Sequence, residues 1–386
     1  MCVRGAHEKH RGSAICGTSA SLRHLLVNSP GPRYAQAPAV WRLFNIMHEL
    51  IWVGFFALIL GLLVLDLGVL NRKPHAVSVR ESLLWTGFWV SLAMVFNAFV
   101  YFLYEHDWMG GPAGAKHLSG SDAAIQFFTA YLVEEMLSLD NIFVMSAIMT
   151  SFRVPAYAQH RVLFWGILGA IVLRGVMIFA GTAAIRQFSW LMYPLGALLV
   201  FTGGKMFKTD DDDAPDGTEH FAVRFVGRHF PVTREFMGTK FFVRVDGKLH
   251  ITPLLLALIA IEFTDVIFAV DSVPAVFGVT LDPFIVMTSN IFAILGLRSL
   301  FFALRALLDR FRYLKPTVAI ILVFVGLKMI SGEAFGWHPP PLVSLMVIFG
   351  LLILGVIASV AAHSEEAEAT PEPEGPAPQD PNGPLD

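Results

Sequence analysis

Nine stretches of apolar residues follow one another along the chain, and each is close to the ~20 residues that a helix needs to cross a bilayer. They lie at residues 50–70, 82–104, 123–149, 162–185, 189–207, 252–276, 283–306, 316–332 and 342–362. Short polar segments separate most of them. The pattern predicts an all-α, polytopic membrane protein with about nine transmembrane helices, numbered here as spans 1 to 9.

Composition supports the membrane class and narrows the partners. Of 386 residues, 55% are hydrophobic and 15% are charged, whereas about a quarter of the residues of a soluble domain are charged. The net charge of -3 gives no basic footprint for nucleic acid. Both cysteines, Cys2 and Cys16, precede the first span, so a thiolate metal site within the membrane is excluded. The lipid bilayer is the expected partner.

The loops differ in their content of Lys and Arg, which resist translocation across the membrane. The loops after spans 1, 3, 5 and 7 hold seventeen of these residues, and the loops after spans 2, 4, 6 and 8 hold two. We therefore expect a multi-pass protein of the inner (plasma) membrane, with its N-terminus outside and its C-terminus in the cytoplasm.

The two ends of the chain differ from the apolar middle. Residues 1–46 contain six Lys or Arg and yet would lie outside, and Met47 offers a later start. We interpret residues 1–46 as a disordered tail, as a targeting segment that is removed, or as the result of a start codon placed too early, and residues 47–363 as a transmembrane domain. Residues 364–386 are rich in Pro and Glu, which predicts a disordered acidic tail.

The longest loop, 208–251, is predicted to be cytoplasmic. It opens with TDDDDAPDG, which is typical of a solvated linker, although a metal sensor is the alternative. It closes with KFFVRVDGKLHIT, which alternates around an Asp-Gly turn and predicts a β-hairpin. This charged loop is also where membrane or secretion partners would dock.

The chain aligns with itself over three consecutive spans. EEMLSLDN (134–141) matches DVIFAVDS (265–272), GILGAIVLR (166–174) matches NIFAILGLR (290–298), and VFTGGKMF (200–207) matches VFVGLKMI (323–330). Three spans is an odd number, so the second copy must enter the membrane in the opposite direction. The sequence therefore predicts an inverted repeat of 3+3 helices, with repeat 1 at 123–207 and repeat 2 at 252–332. Because inverted repeats are typical of transporters, we interpret 47–363 as a transmembrane transporter domain.

Six acidic residues fall close to the middle of spans 3 and 6. They are Glu134, Glu135, Asp140, Glu262, Asp265 and Asp271. Each costs about 2.5–3.5 kcal/mol at the centre of an isolated helix, so the six would cost roughly 15–20 kcal/mol. Such a group is stable only if a cation, protons or buried arginines offset it.

Helical spacing divides these acids into two groups. On regular helices one face carries Glu134, Ser138 and Asn141, and the matching face carries Asp265, Ala269 and Ser272. Asp140 and Asp271 would point elsewhere. Because Pro274 removes a backbone donor, we expect span 6 to unwind around Asp271 and turn that carboxylate inward.

The candidate ligands are all oxygen atoms from carboxylates, an amide, hydroxyls and backbone carbonyls. The spans of the repeat contain no His or Cys, which disfavours zinc and copper and favours magnesium, calcium or manganese. The expected cation is a transported substrate, and no permanently bound cofactor is expected.

Three long segments resemble the signature segments of the TerC/Alx family, the tellurium-resistance-associated membrane proteins of the LysE transporter superfamily. They are EEMLSLDNIFV, EFTDVIFAVDSVPAVFGVT and DPFIVMTSNIFAILGLRSL, and the likeness runs from about Leu50 to Val360. The resemblance implies an exporter of divalent cations of the manganese type, with a role in metal homeostasis. By position it marks a translocation site at Glu134, Glu135, Asp140, Asn141, Glu262, Asp265, Asp271 and Ser272.

Other polar residues in the spans have two interpretations each. Arg174 and Arg298 either form structural ion pairs with the acids or serve as fixed counter-charges that prime an empty site. Asp66 and Asn97 either line a pathway or form hydrogen bonds between peripheral helices.

Two other classes of protein are compatible with parts of the pattern. Intramembrane aspartyl proteases carry paired aspartates, but the chain has no GxGD motif and four further acids would be unexplained, so we do not expect an enzyme. A membrane scaffold for secretion or metal-loading partners, or a tellurium-resistance-associated protein without ion flux, would leave the inverted repeat and the buried acids without a role.

Overall fold

The computed structural model describes residues 37–65, 79–108, 118–207, 231–233, 236–245, 247–305 and 313–369. Within these ranges the helices are α1 (Ala37–Leu65), α2 (Val79–Glu105), α3 (Gly120–Ser151), α4 (Ala156–Gln187), α5 (Met192–Met206), α6 (Pro253–Phe277), α7 (Pro283–Arg305), α8 (Leu314–Phe335) and α9 (Pro341–Ala369). Each overlaps one predicted span, so the all-α membrane fold is confirmed. α1 belongs to one compact unit, and α2 to α9 belong to another.

The helices carry apolar side chains outward and polar side chains inward, as lipid requires. On α4, Val172 is 59% exposed and Val176 is 63% exposed, whereas Arg174 between them is 1% exposed. On α6 the exposed residues are Ile267 and Val270, while Ser272 is buried. This arrangement is the reverse of a soluble bundle and is typical of helices that face hydrocarbon.

Six of the helices are long and apolar enough to cross a membrane, namely α1, α2, α4, α6, α8 and α9. α3 is long enough, but every 18-residue segment of it contains at least three acidic residues. α5 has fifteen residues, or about 22 Å, and is extended by a 3₁₀ turn at Ser189–Leu191. On α7 the described apolar stretch Pro283–Leu297 has fifteen residues. The count of nine crossings therefore stays a prediction.

α5 and α8, the third helices of the two repeats, meet along a seam of small residues. A Cβ atom on Gly196 would lie 2.8 Å from the carbonyl oxygen of Gly326, and one on Gly203 would lie 2.7 Å from that of Ala319. The repeat alignment pairs Gly203 with Gly326 and Gly196 with Ala319. The contact is therefore reciprocal, as across a two-fold axis, and the two helices run antiparallel. We call these four residues the glycine seam.

The first helices of the repeats also run in opposite directions. Three contacts join α4 to α6: Gly166 with Ile261, Arg174 with Asp265, and Gly181 with Phe277. Residues later in α4 contact residues later in α6. α4 is therefore parallel to α6. α3 is antiparallel to α4, because Glu134 and Arg174 lie about equally far from the turn at 152–155 and contact each other. These directions confirm the predicted inverted repeat.

α6 is one continuous helix, so the predicted unwinding around Asp271 is wrong. Pro274 lies three residues before the helix ends at Phe277, where a missing backbone donor disturbs only the last turn. The helix closes normally, with the N–H of Gly278 bonded to the carbonyl of Pro274. Asp271 consequently keeps the direction that a regular helix gives it.

The predicted β-hairpin is confirmed at the end of the central loop. β1 (Phe242–Val245) pairs antiparallel with β2 (Lys248–Ile251), and Gly247 has a φ of 78°, which glycine adopts easily. Residues 1–36, 208–230 and 370–386 lie outside the described part. α1 begins ten residues before Met47, and α9 extends six residues beyond His363.

Candidate cation site

Arg174 lies at the centre of the repeat domain and is 1% exposed. Its Nε donates to Asp265 Oδ2 at 3.2 Å, and its Nη2 donates to Asp265 Oδ1 at 3.0 Å. Two parallel hydrogen bonds of this kind fix the direction of both groups and are among the strongest that proteins make. The pair joins α4 of repeat 1 to α6 of repeat 2.

The remaining guanidinium nitrogen, Nη1, reaches three further groups. It forms an ion pair with Glu134 of α3 and donates to Ser272 Oγ at 3.4 Å and to Asn290 Oδ1 at 3.3 Å. Asn290 of α7 in turn donates from Nδ2 to Glu134 Oε2 at 3.0 Å. We call Arg174, Glu134, Asp265, Ser272 and Asn290 the Arg174 cluster.

The Arg174 cluster draws its members from the first two helices of both repeats. Glu134 and Asn290 are fully buried, and the Asp265 side chain is 12% exposed. Two carboxylates and one guanidinium leave a formal charge of minus one in a site shielded from water. Removing one partner of such a buried pair is strongly destabilising, because the other charge is left uncompensated.

A small cavity adjoins the Arg174 cluster between the same four helices. Its volume is about 20 Å³, which is enough for a water molecule. Asn141 and Asp265 supply polar groups, and Met145, Ile261 and Leu297 supply apolar walls. The predicted residue Asn141, which is 3% exposed, therefore lies at the cavity rather than on Arg174.

Glu135 and Asp271 do not contact Arg174. Glu135 is buried on α3, and its Oε2 has no hydrogen-bond partner among the described residues. Asp271 is half-buried and accepts from Thr202 Oγ1 of α5 at 3.1 Å. The structure thus places these two predicted ligands on other sides of their helices, as regular helical spacing indicates.

Glu262 also lies apart from Arg174, against the backbone of α4. A Cβ atom on Gly169 would lie 2.0 Å from Glu262 Oε1, so only glycine leaves room for this carboxylate. Glu262 Oε2 is buried and has no hydrogen-bond partner among the described residues. The Glu262 carboxylate is therefore packed closely against α4, and one of its oxygen atoms accepts no hydrogen bond from the described residues.

Other predicted residues are placed as follows. Ser138 is 1% exposed, and its hydroxyl has no partner in the described part of the chain. The same holds for the buried Oδ1 of Asn97 on α2. Asp66 and the side chains of Asp140 and Arg298 lie outside the described residues.

The described side chains contain no group of three His, Cys, Asp or Glu residues arranged to hold a metal ion. The place between Glu134 and Asp265 is taken by the guanidinium of Arg174. The two carboxylates therefore bind a cationic group, and that group is the side chain of Arg174.

Sequence reasoning missed Asn290 and Thr202. Asn290 stands inside the NIFAILGLR segment that was aligned with GILGAIVLR, opposite Gly166, and a buried amide within a span is a signal by itself. Thr202 stands in VFTGGKMF, but a threonine can satisfy its own hydroxyl within a helix, so the sequence carried little signal there.

Comparison with known proteins agrees with this architecture. Residues 119–367 match the model of the integral membrane protein TerC family. An uncharacterized membrane protein of Myxococcus xanthus is 46% identical over 322 residues, covering 83% of this chain and 95% of the relative.

Two relatives are described as a putative membrane-bound redox modulator, Alx. The one from Salmonella typhi is 45% identical, covering 80% of this chain and 93% of the relative, and the one from Escherichia coli K12 is 44% identical with the same coverage. No solved structure matches. Because the family model covers well over half of the chain and the relatives cover four fifths of it, the chain belongs to the TerC family of integral membrane proteins.

Proposed function

We propose that this protein is a divalent cation transporter that exports manganese from the cytoplasm. One observation carries the proposal: two carboxylates shielded from water, the buried Glu134 of repeat 1 and the 12% exposed Asp265 of repeat 2, flank the guanidinium of Arg174 at the interface of the repeats. Transporters built from inverted repeats bind their substrates at this interface near the midplane, and rocking of one repeat against the other exposes the site alternately.

The chemistry of the Arg174 cluster favours a hard divalent cation. Glu134, Asp265, Ser272 and Asn290 offer carboxylate, hydroxyl and amide oxygens, which suit magnesium, calcium and manganese. Two carboxylates balance the charge of one divalent ion. The choice of manganese, and the direction of export, follow the resemblance to the TerC/Alx family.

The membrane arrangement that goes with this proposal has the central loop in the cytoplasm. The protein would then lie in the inner membrane with its N-terminus outside, its C-terminus inside, and its loop at 208–251 accessible to cytoplasmic partners. The excess of Lys and Arg in the odd-numbered loops supports this orientation.

The test is cation uptake by sealed vesicles that contain the purified protein. We expect saturable Mn²⁺ flux, weaker Mg²⁺ or Ca²⁺ flux and little Zn²⁺ flux, and we expect Asp265→Asn to abolish all of it. Glu333→Gln is the matched control, because it removes one carboxylate that is exposed at the end of α8. Absence of flux of every cation in the wild type, or full flux in Asp265→Asn, would overturn the proposal and favour a scaffold.

A further inference from the structure

The Arg174 guanidinium lies where the proposed function puts the transported cation. With Glu134 and Asp265 it forms a group of charge minus one. A divalent cation between the two carboxylates would give a neutral group, whereas a divalent cation added to the guanidinium would leave a net positive charge. Because uncompensated charge is costly where water is excluded, the guanidinium and the cargo exclude each other.

A second carboxylate, that of Glu262, lies one helical turn from Asp265 on α6. Glu262 precedes Asp265 by three residues on α6, so the two share one face of the helix. Its Oε2 is buried and has no hydrogen-bond partner in the described part of the chain. Its Oε1 lies against Gly169 of α4, the helix that carries Arg174.

A small cavity lies one helical turn before Arg174 on α4. Gly169 lies five residues before Arg174, about 7.5 Å along the helix axis, and side chains on a helix point toward its N-terminus. Ala170, one turn before Arg174, lines the cavity together with Asp265. The cavity therefore lies toward the N-terminal end of α4 from Arg174, which is also the end at which Gly169 contacts Glu262.

We propose that Arg174 is a built-in competitor of the transported cation, which holds Glu134 and Asp265 when the site is empty of cargo and moves to Glu262 when a divalent cation binds. This proposal rests on the proposed function and adds roles for two residues. Arg174 sets the affinity for cargo and ensures its release, and Glu262 is the receiving carboxylate rather than a ligand of the metal.

The first test measures equilibrium Mn²⁺ binding to the purified full-length protein, from the loss of the electron paramagnetic resonance signal of free Mn²⁺. Arg174→Gln removes the competitor and should bind Mn²⁺ at least about tenfold more tightly, because no guanidinium has to leave Glu134 and Asp265 before the ion binds. Arg174→Lys keeps the charge but cannot make two parallel hydrogen bonds to Asp265, so its affinity for Mn²⁺ should lie between those of the wild type and Arg174→Gln. Arg186→Gln is the matched control, since it removes an exposed charge from the last turn of the same helix.

The second test is a double-mutant cycle with Glu262→Gln. In the wild-type background this change should weaken Mn²⁺ binding about tenfold, because the displaced guanidinium loses its second position. In the Arg174→Gln background it should have no effect. Equal weakening in both backgrounds would make Glu262 a direct metal ligand and overturn its assignment as the receiving group.

The outcomes separate the two proposals. If the wild type transports Mn²⁺ but neither Arg174→Gln nor Arg174→Lys binds it more tightly, the competitor role is wrong and the transporter remains. If no form binds Mn²⁺, the transporter falls and this inference falls with it. If Arg174→Gln does not fold, Arg174→Lys and the Glu262→Gln effect in the wild-type background still decide, and unchanged binding in both would overturn the inference.

Discussion

The glycine seam and the Arg174 cluster both join repeat 1 to repeat 2, and they do so by opposite means. In the seam, the contact of Gly196 with Gly326 is repeated by the equivalent contact of Ala319 with Gly203, and backbone approaches backbone in both. In the Arg174 cluster, one arginine of repeat 1 takes three partners from repeat 2, and Asn290 stands where repeat 1 has Gly166. The repeats remain alike where they only need to pack, and they differ where charge is held.

The two regions also differ in what stabilises them. The seam depends on the absence of side-chain atoms, which lets α5 and α8 pack closely in lipid. The cluster depends on the presence of every charged partner, because each buried charge needs its counter-charge. Substitutions should therefore damage the cluster by removing atoms and the seam by adding them.

The largest effect is expected when the cluster loses a carboxylate. Asp265→Asn removes the charged acceptor of two hydrogen bonds from Arg174 and leaves Glu134 as its one described acidic partner. Because hydrogen bonds to charged groups contribute about 1.5–3 kcal/mol each, we expect the free energy of unfolding to fall by about 3 kcal/mol. Thermal or denaturant unfolding in detergent measures the change. Asp271→Asn is the control, since that carboxylate accepts a hydrogen bond from Thr202 and its loss should cost about 1 kcal/mol. Equal losses would show that the Arg174 contact contributes nothing special.

A smaller effect is expected when the seam gains one methyl group. In Gly203→Ala the new Cβ would lie 2.7 Å from the carbonyl oxygen of Ala319, so α5 and α8 must separate, at about 1–3 kcal/mol. The neighbouring Gly204→Ala adds the same methyl group where no atom lies within 4 Å. It should be neutral or slightly stabilising, because alanine favours a helix. Unfolding midpoints of the two variants, measured side by side, test the seam; a stable Gly203→Ala protein would contradict it.

A still smaller effect on stability, with a larger one on binding, is expected at Gly169. In Gly169→Ala the new Cβ would overlap the Glu262 carboxylate, which can swing away at a cost below about 1 kcal/mol because its side chain is flexible. Mn²⁺ binding should weaken as in Glu262→Gln. Gly87→Ala on α2, where no atom lies within 4 Å, is the control for a helical methyl group. Unaltered Mn²⁺ affinity in Gly169→Ala would argue against a role for the position of Glu262.

Cysteine labelling tests how the protein is oriented in the membrane, and we expect the cysteine substitutions to leave its stability unchanged. Leu249 in the hairpin is 52% exposed and Trp337 after α8 is 55% exposed, so a cysteine at either position should react freely. In a background without Cys2 and Cys16, a membrane-impermeant thiol reagent on intact cells should label Trp337→Cys and spare Leu249→Cys. Permeabilised cells should label both. The reverse pattern in intact cells would invert the assigned orientation.

The sequence predicts the helices and their inverted arrangement because both follow from patterns along the chain. Apolar length determines where helices form in lipid, and three matched segments determine that an odd number of helices repeats. The facing positions of Glu134 and Asp265 follow from the same alignment, and the structure joins them through Arg174.

What the sequence could not predict depends on packing between helices. Whether Arg174 is a structural ion-pair partner or a counter-charge for an empty site depends on which carboxylates it contacts. Asn290 belongs to the cluster because α7 packs on α3, where its amide donates to Glu134. The unwinding expected at Pro274 failed because the proline lies in the last turn of α6, and a helix end is poorly marked in a long apolar run. The position of Glu262 against Gly169 is likewise a contact between two helices that the chain pattern leaves open.

The three-residue spacing of Glu262 and Asp265 also bears on the response to membrane voltage. A guanidinium that moves between them travels about 4.5 Å along the helix axis, or roughly 15% of a hydrocarbon core of about 30 Å. Since a unit charge crossing the whole field gains about 2.3 kcal/mol per 100 mV, this movement gains only about 0.3 kcal/mol. A divalent ion that crosses completely gains about 4.6 kcal/mol per 100 mV. Voltage would therefore act almost entirely on the cargo, and the exchange of Arg174 between carboxylates would proceed nearly unchanged in energised and de-energised membranes.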